Sequence, residues 1–233
     1  MADPGPGLIE PGYSVEEALS KLHADFSEIA GSLGLRPPGL SPSGYVMLEL
    51  VRHPDRQQER NFPHRFLAAM KLRPAGENRR AVEPRRRFGP ADEENRFTTC
   101  LAVLARKNDI AAIPAKIRAL DPSSQAAREM TCLESASLEP PESRLFLEPG
   151  DRVADGTAEL FEAVLLSFPG RKTLFPIDAF TGLAEKNGFQ VIRAKKNDAT
   201  GYLHVLMSGP REGLINLAEF SMTWLIKRPG EKI

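Results

Sequence analysis

Cysteine is scarce in this chain: its 233 residues hold only Cys100 and Cys132. Two cysteines build no disulfide framework and fit a reducing compartment, so the protein is read as cytoplasmic. Long apolar runs are missing as well. No uncharged stretch approaches the roughly 18 residues of a membrane helix, which excludes a spanning helix and leaves no membrane partner. Met1 to Pro11 has neither a basic segment nor a long apolar one, so it does not read as a secretory signal. Net charge of one sign is absent too, with 31 Lys and Arg against 31 Asp and Glu.

The usual chemical signatures are also lacking. Four histidines, His23, His53, His64 and His204, offer no His-x-x-x-His spacing, and the cysteines form no Cys-x-x-Cys. His53 and His64 flank the polar segment 54–63 and read as a pair of surface histidines. No Gly-x-Ser-x-Gly elbow, Gly-x-Gly-x-x-Gly turn or Gly-Lys-Ser/Thr loop occurs, so acyl-transfer, dinucleotide and nucleotide-triphosphate chemistry have no support. Cys100 lies mid-strand among Thr99, Leu101 and Val103, where burial raises a thiol pKa and makes it inert. Neither metal nor cofactor is expected, and the reading leans away from an enzyme.

What remains is an ordinary globular composition, 41% hydrophobic and 27% charged, long enough for one generous domain or two small ones with a sizeable core. Its charges are sorted along the chain. Residues 1–35 carry one lysine against six acids, a net of −5, whereas residues 36–106 carry fourteen cations against eight acids, a net of +6. Such sorting describes an anion-binding surface, because guanidinium groups grip phosphate with two donors, and equally an acidic helix folded back on a basic sheet. The basic charge concentrates in Arg73 to Phe88, with Arg79, Arg80, Arg85, Arg86 and Arg87. That stretch has Pro, Gly and charge but almost no large apolar residue, so a long mobile loop is expected, either solvated or contacting RNA or DNA.

Residues 1–13, with three prolines and three glycines, should form a flexible tail. Ser14 and Glu17 then have the spacing of a capping box, and Val15, Ala18, Leu19, Leu22, Phe26, Ile29, Ala30 and Leu33 recur at helical spacing up to a stop at Gly34. This amphipathic helix must lie on the protein's own sheet or on a partner chain. Strands are expected over 45–51 and 96–105, a strand or short helix over 65–72, and a helix from Asp121-Pro122 to about Ser137. These elements make an N-terminal α+β region, 14–138, with antiparallel strands. A punctuated linker, 139–156, follows.

In the C-terminal part, 157–233, strands over 160–168, 189–196, 202–207 and 222–227 alternate with helices opening at Phe175-Pro176 and at Arg211, and Asn187-Gly188 closes the first helix. The order β-α-β-β-α-β predicts an α+β chain with a ferredoxin-like C-terminal domain. Ser43-Gly-Tyr45 resembles Thr200-Gly-Tyr202, and Arg73-Pro74 resembles Arg228-Pro229, but the matches do not extend, so no internal repeat is read. Strand alternation puts Val191, Arg193 and Lys195 on one face and gathers Tyr202 and His204 with them if the helices cover Leu203. A basic, aromatic open sheet is how RNA-recognition domains take single strands, although Leu206 on that face argues for a covered surface. The expected function is thus a non-catalytic binding or assembly protein that meets a protein partner or itself. The rival is single-stranded nucleic-acid binding, or metal-independent RNA processing, through Arg79, Arg80, Arg85, Arg86, Arg87, Arg193, Lys195, Tyr202 and His204.

Overall fold

The computed structural model describes residues 13–57, 62–86, 97–147, 158–171 and 174–230. Most of the expected tail, Arg87 and the acidic patch 92–94 lie outside them. Among the described residues no helix is long and apolar enough to cross a membrane. The chain is mixed α+β with two antiparallel-dominated sheets. It divides into two compact units, one of residues 1–31, 48–103 and 108–137, the other of residues 32–47, 104–107 and 138–233.

The first sheet contains β1 (Tyr45–Arg52), β2 (Arg73–Ala81), β3 (Phe97–Arg106) and β4 (Leu133–Leu138), in the order β2-β3-β1-β4. Helix α1 (Val15–Ser32) opens with the expected capping box: Glu17 N donates to Ser14 Oγ at 3.1 Å and Ser14 N to Glu17 Oε2 at 2.8 Å. Its buried stripe is Ala18, Leu22, Phe26 and Ile29, and the Phe26 ring lies 6.3 Å from that of Phe66 in α2 (His64–Met70). Leu22, Phe26 and Ile29 each contribute about 1.5–3 kcal/mol by burial. The apolar face of α1 is therefore covered within its own unit. Gly34 is not the left-handed stop expected of it; α1 ends at Ser32, and Gly34 is absent from the positive-φ residues.

Two expectations in this half are corrected. Residues 73–81 form the edge strand β2 rather than a mobile loop, because the neighbouring strand supplies the hydrogen bonds that its polar sequence gives no hint of. A polar, arginine-rich edge also discourages pairing with another chain. The helix expected from Asp121 to Ser137 is the short α5 (Gln125–Met130), capped by Ser124 Oγ accepting from Ala127 N at 3.2 Å, and the chain then turns into β4. Leu133, Glu134 and Ala136 are buried there among strand neighbours. Between β3 and α5 lie two further short helices, α3 (Lys107–Ala111) and α4 (Ile113–Arg118).

The second sheet contains β5 (Leu145–Phe146), β6 (Glu159–Leu165), β7 (Gln190–Lys196), β8 (Leu203–Gly209) and β9 (Thr223–Lys227), in the order β5-β9-β6-β8-β7. Helix α6 (Ile177–Lys186) joins β6 to β7, and α7 (Leu214–Ala218) joins β8 to β9. One face of the sheet carries Phe161, Ala163, Leu165, Val205 and Met207, all buried, in a core completed by Phe180, Phe220 and Leu217. Gly188, with φ 81°, supplies the left-handed stop after α6. Part of the expected linker is ordered in this unit, since β5 pairs in parallel with β9. Residues 148–156 lie outside the described residues.

A repeat that sequence matching missed is present in the connectivity. The chain runs β1-α2-β2-β3-helices-β4, then β6-α6-β7-β8-α7-β9, and each set lays its fourth strand beside its first, followed by its third and second. The matches at Tyr45 and Tyr202 pair a first strand with a third, so they could not extend.

Two glycines fix where β7 begins. A Cβ on Gly209 would lie 2.6 Å from Phe189 Cγ and 2.9 Å from its Cα, and one on Gly213 would lie 2.7 Å from Phe189 Cε2. Phe189 immediately precedes β7, and its backbone cannot give way without moving that strand. Gly209→Ala is therefore expected to cost about 1–3 kcal/mol by overpacking. Thermal denaturation checks this, and an unchanged Tm would mean that the ring has space the contacts deny.

Candidate functional site

The face of the second sheet opposite Phe161 and Met207 is built row by row from the strand register. One row holds Leu160, Ser208 and Gln190; the next Lys227, Glu162, Leu206 and Arg193; the third Leu225, Val164, His204 and Lys195. A β-bulge makes this alignment. Val191 pairs with Met207, Ile192 is skipped, and Arg193 pairs with Leu206, so Val191 falls on the core face rather than beside Arg193 and Lys195 as simple alternation predicted. Without the extra residue the two cations would face the core.

Over this surface opens a concavity of ≈ 590 Å³ lined by Glu162, Arg193, Lys195, Lys196, His204 and Leu206, with Asn197 and Asp198 beyond the end of β7 and, at the opposite end, Pro229 and Gly230 beyond the end of β9. Glu162 is committed at both oxygens. His204 Nδ1 lies 2.8 Å from Oε1, and Lys227 Nζ lies 3.4 Å from Oε2. With the proton on Nδ1, the ring donates to Glu162 and leaves Nε2 a bare acceptor, buried and unmet by any hydrogen-bonding group among the described residues. Lys196 pairs with Asp198 at 3.4 Å. Arg193 and Lys195 differ: both are exposed, and neither has a carboxylate partner among the described residues. The lining includes no Ser, Thr or Cys to act as nucleophile. Two uncompensated cations beside a neutralised carboxylate favour an anion.

Three of the expected residues, Arg193, Lys195 and His204, are thus brought together. Tyr202 is not; it sits in the turn before β8, its N–H bonded to Thr200 Oγ1 and its carbonyl accepting from Asn197 N, and it does not line the concavity. Leu206 is on this face as expected, whereas Glu162 and Lys227 went unnoticed in the sequence. A single glutamate inside the apolar run Leu160–Phe168 was the available signal.

The arginines of the first unit are arranged differently. Arg79 and Arg80 project from β2, and Arg80 ion-pairs with the buried Glu49 while its Nε lies 3.3 Å from Cys100 Sγ. Burial, reinforced by Glu49, pushes the Cys100 thiol up to about 11, in keeping with an inert cysteine. Arg85 Nη2 meets Asp25 Oδ1 at 3.2 Å and its backbone N–H donates to Glu134 Oε1 at 2.9 Å; Arg86 Nη1 meets Glu17 Oε1 at 3.3 Å. The acidic helix is folded back on the basic segment, one of the two arrangements that the charge sorting describes. Arg87 lies outside the described residues.

Behind those pairs is a buried cluster. Tyr13 OH donates to Glu134 Oε2 at 2.7 Å, Lys21 Nζ sits 3.5 Å from the centre of the Tyr13 ring and donates to the Leu133 carbonyl at 2.6 Å, and His53 Nε2 lies 2.8 Å from the Arg86 carbonyl. His53 is completely buried and is not the surface histidine expected, since Pro54 and the 3₁₀ turn after it fold the ring inward, where Nδ1 accepts from Asp55 N at 3.2 Å. Burial lowers the pKa of His53 and brings that of Lys21 down to about 8, while burial and Glu134 raise that of Tyr13. Tyr13, His53 and Glu134 are spent on one another and on the backbone, with no exposed face for a ligand.

Among the described residues no three His, Cys, Asp or Glu side chains converge as metal ligands. Compared with family models and with curated proteins, the chain finds no match.

Proposed function

We propose that this protein is a non-catalytic binding module that takes single-stranded nucleic acid on the open face of its C-terminal sheet. The observation that carries the reading is the pair Arg193 and Lys195, exposed on one face of a concavity in which the other charges, Glu162 with His204 and Lys227 and Lys196 with Asp198, are already compensated. Phosphates supply the missing anions, and the half-exposed Leu160 with Leu206 offers an apolar strip for the sugar–base portion. The C-terminal unit is read as a ferredoxin-like, split βαβ module, which the order β9-β6-β8-β7 and the intervening α6 and α7 support. Both cysteines are free thiols, which accords with a cytoplasmic site of action.

Protein interaction through the helix at residues 14–33 has less support, because the apolar stripe that suggested it is buried in its own unit. The Arg-rich segment contributes less than its composition suggests, since Arg80, Arg85 and Arg86 already hold carboxylates.

Fluorescence anisotropy with labelled single-stranded RNA, at low and moderate salt, tests the reading. Binding is expected to weaken as salt rises, as counterion release requires. It should be lost in Arg193→Ala/Lys195→Ala and kept in Arg85→Ala/Arg86→Ala. An absence of binding at low salt, or loss only in the second variant, would overturn it.

A further inference from the structure

We infer that the site is a two-phosphate site: it seats one short run of the nucleic-acid backbone along β7, with Arg193 and Lys195 each taking one phosphate. This rests on the binding reading above and adds the length of chain engaged. Residues two apart on one face of a strand are separated by about 6.6 Å, close to the repeat of an extended single strand. The register keeps that spacing, with Arg193 opposite Leu206 and Lys195 opposite His204.

The run of cations stops on both sides. Beyond Arg193 the next row is Leu160, Ser208 and Gln190, with no charge. Beyond Lys195, Lys196 is already paired with Asp198. Lys227 is held against Glu162 across the sheet. A third phosphate in line meets either an uncharged row or the Asp198 carboxylate. Leu206 lies between the two cations and β6, where the sugar and base of the intervening nucleotide would rest.

No Phe, Tyr or Trp projects from the three rows, and the His204 ring is held by Glu162, so stacking contributes little and the grip depends on charge. Arg85 and Arg86 add nothing to this count because they are paired in the other unit.

The salt dependence of affinity counts the phosphates. A single strand loses about 0.7 in log K per decade of salt for each phosphate neutralised, so two give a slope of about −1.4. Anisotropy titrations of the full chain with a labelled uridine trinucleotide, which has two internucleotide phosphates, and a labelled octanucleotide are expected to share that slope. Arg193→Gln and Lys195→Gln should each halve it, to about −0.7. A trinucleotide that does not bind while the octanucleotide gives a slope several times steeper would overturn the two-phosphate site and leave the binding reading standing, bringing in exposed arginines such as Arg79. Inorganic phosphate competing as well as the trinucleotide at equal concentration would also overturn it, in favour of a single-anion pocket. If neither oligonucleotide binds at low salt, the binding reading itself fails.

Discussion

Replacing Arg144 with alanine is expected to destabilise the C-terminal unit by about 3–5 kcal/mol, the cost of leaving a buried charge without its partner. The side chain is 2% exposed and lies in the 3₁₀ turn before β5. Its Nη2 pairs with Glu139 Oε2 at 3.2 Å, and Glu139 is equally buried. Its Nη1 donates to the carbonyls of Ala218, at 2.8 Å, and Phe220, at 3.1 Å. Those carbonyls stand at the end of α7, where a helix exposes acceptors it cannot satisfy and where a cation meets the negative end of its dipole. Arg36 takes the Glu219 carbonyl between them. Alanine would therefore leave the buried Glu139 carboxylate without this cation and remove one donor from each carbonyl, of which Phe220's keeps Thr223 N. Urea denaturation followed by the fluorescence of Trp224, the only tryptophan and a residue of β9, reads this unit. The double replacement Glu139→Leu/Arg144→Met removes both charges and should cost much less than Arg144→Ala. Equal losses would mean that packing volume, and not charge, holds the turn.

Glu139 and Arg144 also mark where sequence reading ran out. Glu139-Pro-Pro-Glu142 has every mark of a linker, because the two carbonyls that fix Arg144 lie more than seventy residues away. Local signals did better. Ser14 and Glu17 were legible as a cap because both partners lie within one turn, and Asn187-Gly188 ended α6 as a left-handed glycine should. Alternation found Arg193, Lys195 and His204 on one face. It misplaced Val191, since a bulge shifts the period by one residue and leaves no trace in composition. The arginine-rich β2 was unreadable for the opposite reason: an edge strand needs no apolar face, so it shows no period at all. The site residues that were missed, Glu162 and Lys227, sit on strands whose other residues are apolar and drew attention only as strands.

The repeated connectivity bears on why one sheet has an open site and the other does not. In the first sheet the carboxylate on the first strand, Glu49, is buried at 1% exposure and receives Arg80 from the edge strand β2. In the second the carboxylate on the corresponding strand, Glu162, is met instead by His204 and Lys227 from its immediate neighbours β8 and β9. The edge-strand cations Arg193 and Lys195 are then left over. The same arrangement of strands closes an ion pair in one half and exposes two cations in the other, and the difference lies in which strand supplies the counter-charge.

Phe26→Ala is expected to destabilise the first unit by about 3–5 kcal/mol, the usual cost of emptying an aromatic site in a core. Phe26 is completely buried, its ring is 6.3 Å from that of Phe66, and it shares the α1 stripe with Leu22 and Ile29. The polar contacts of α1 cannot make good the loss: the Arg86–Glu17 pair is more than half exposed at both ends, and such pairs contribute little. Circular dichroism during thermal denaturation should show a lowered first transition, while Trp224 fluorescence reports on the other unit separately. A helix held for a partner chain would behave in the opposite way, since truncating its apolar face would leave the isolated protein's stability nearly unchanged and reduce only association. The size of the Phe26→Ala loss in the purified chain therefore decides between α1 as core and α1 as a docking surface, and complete burial of its stripe argues for the larger number.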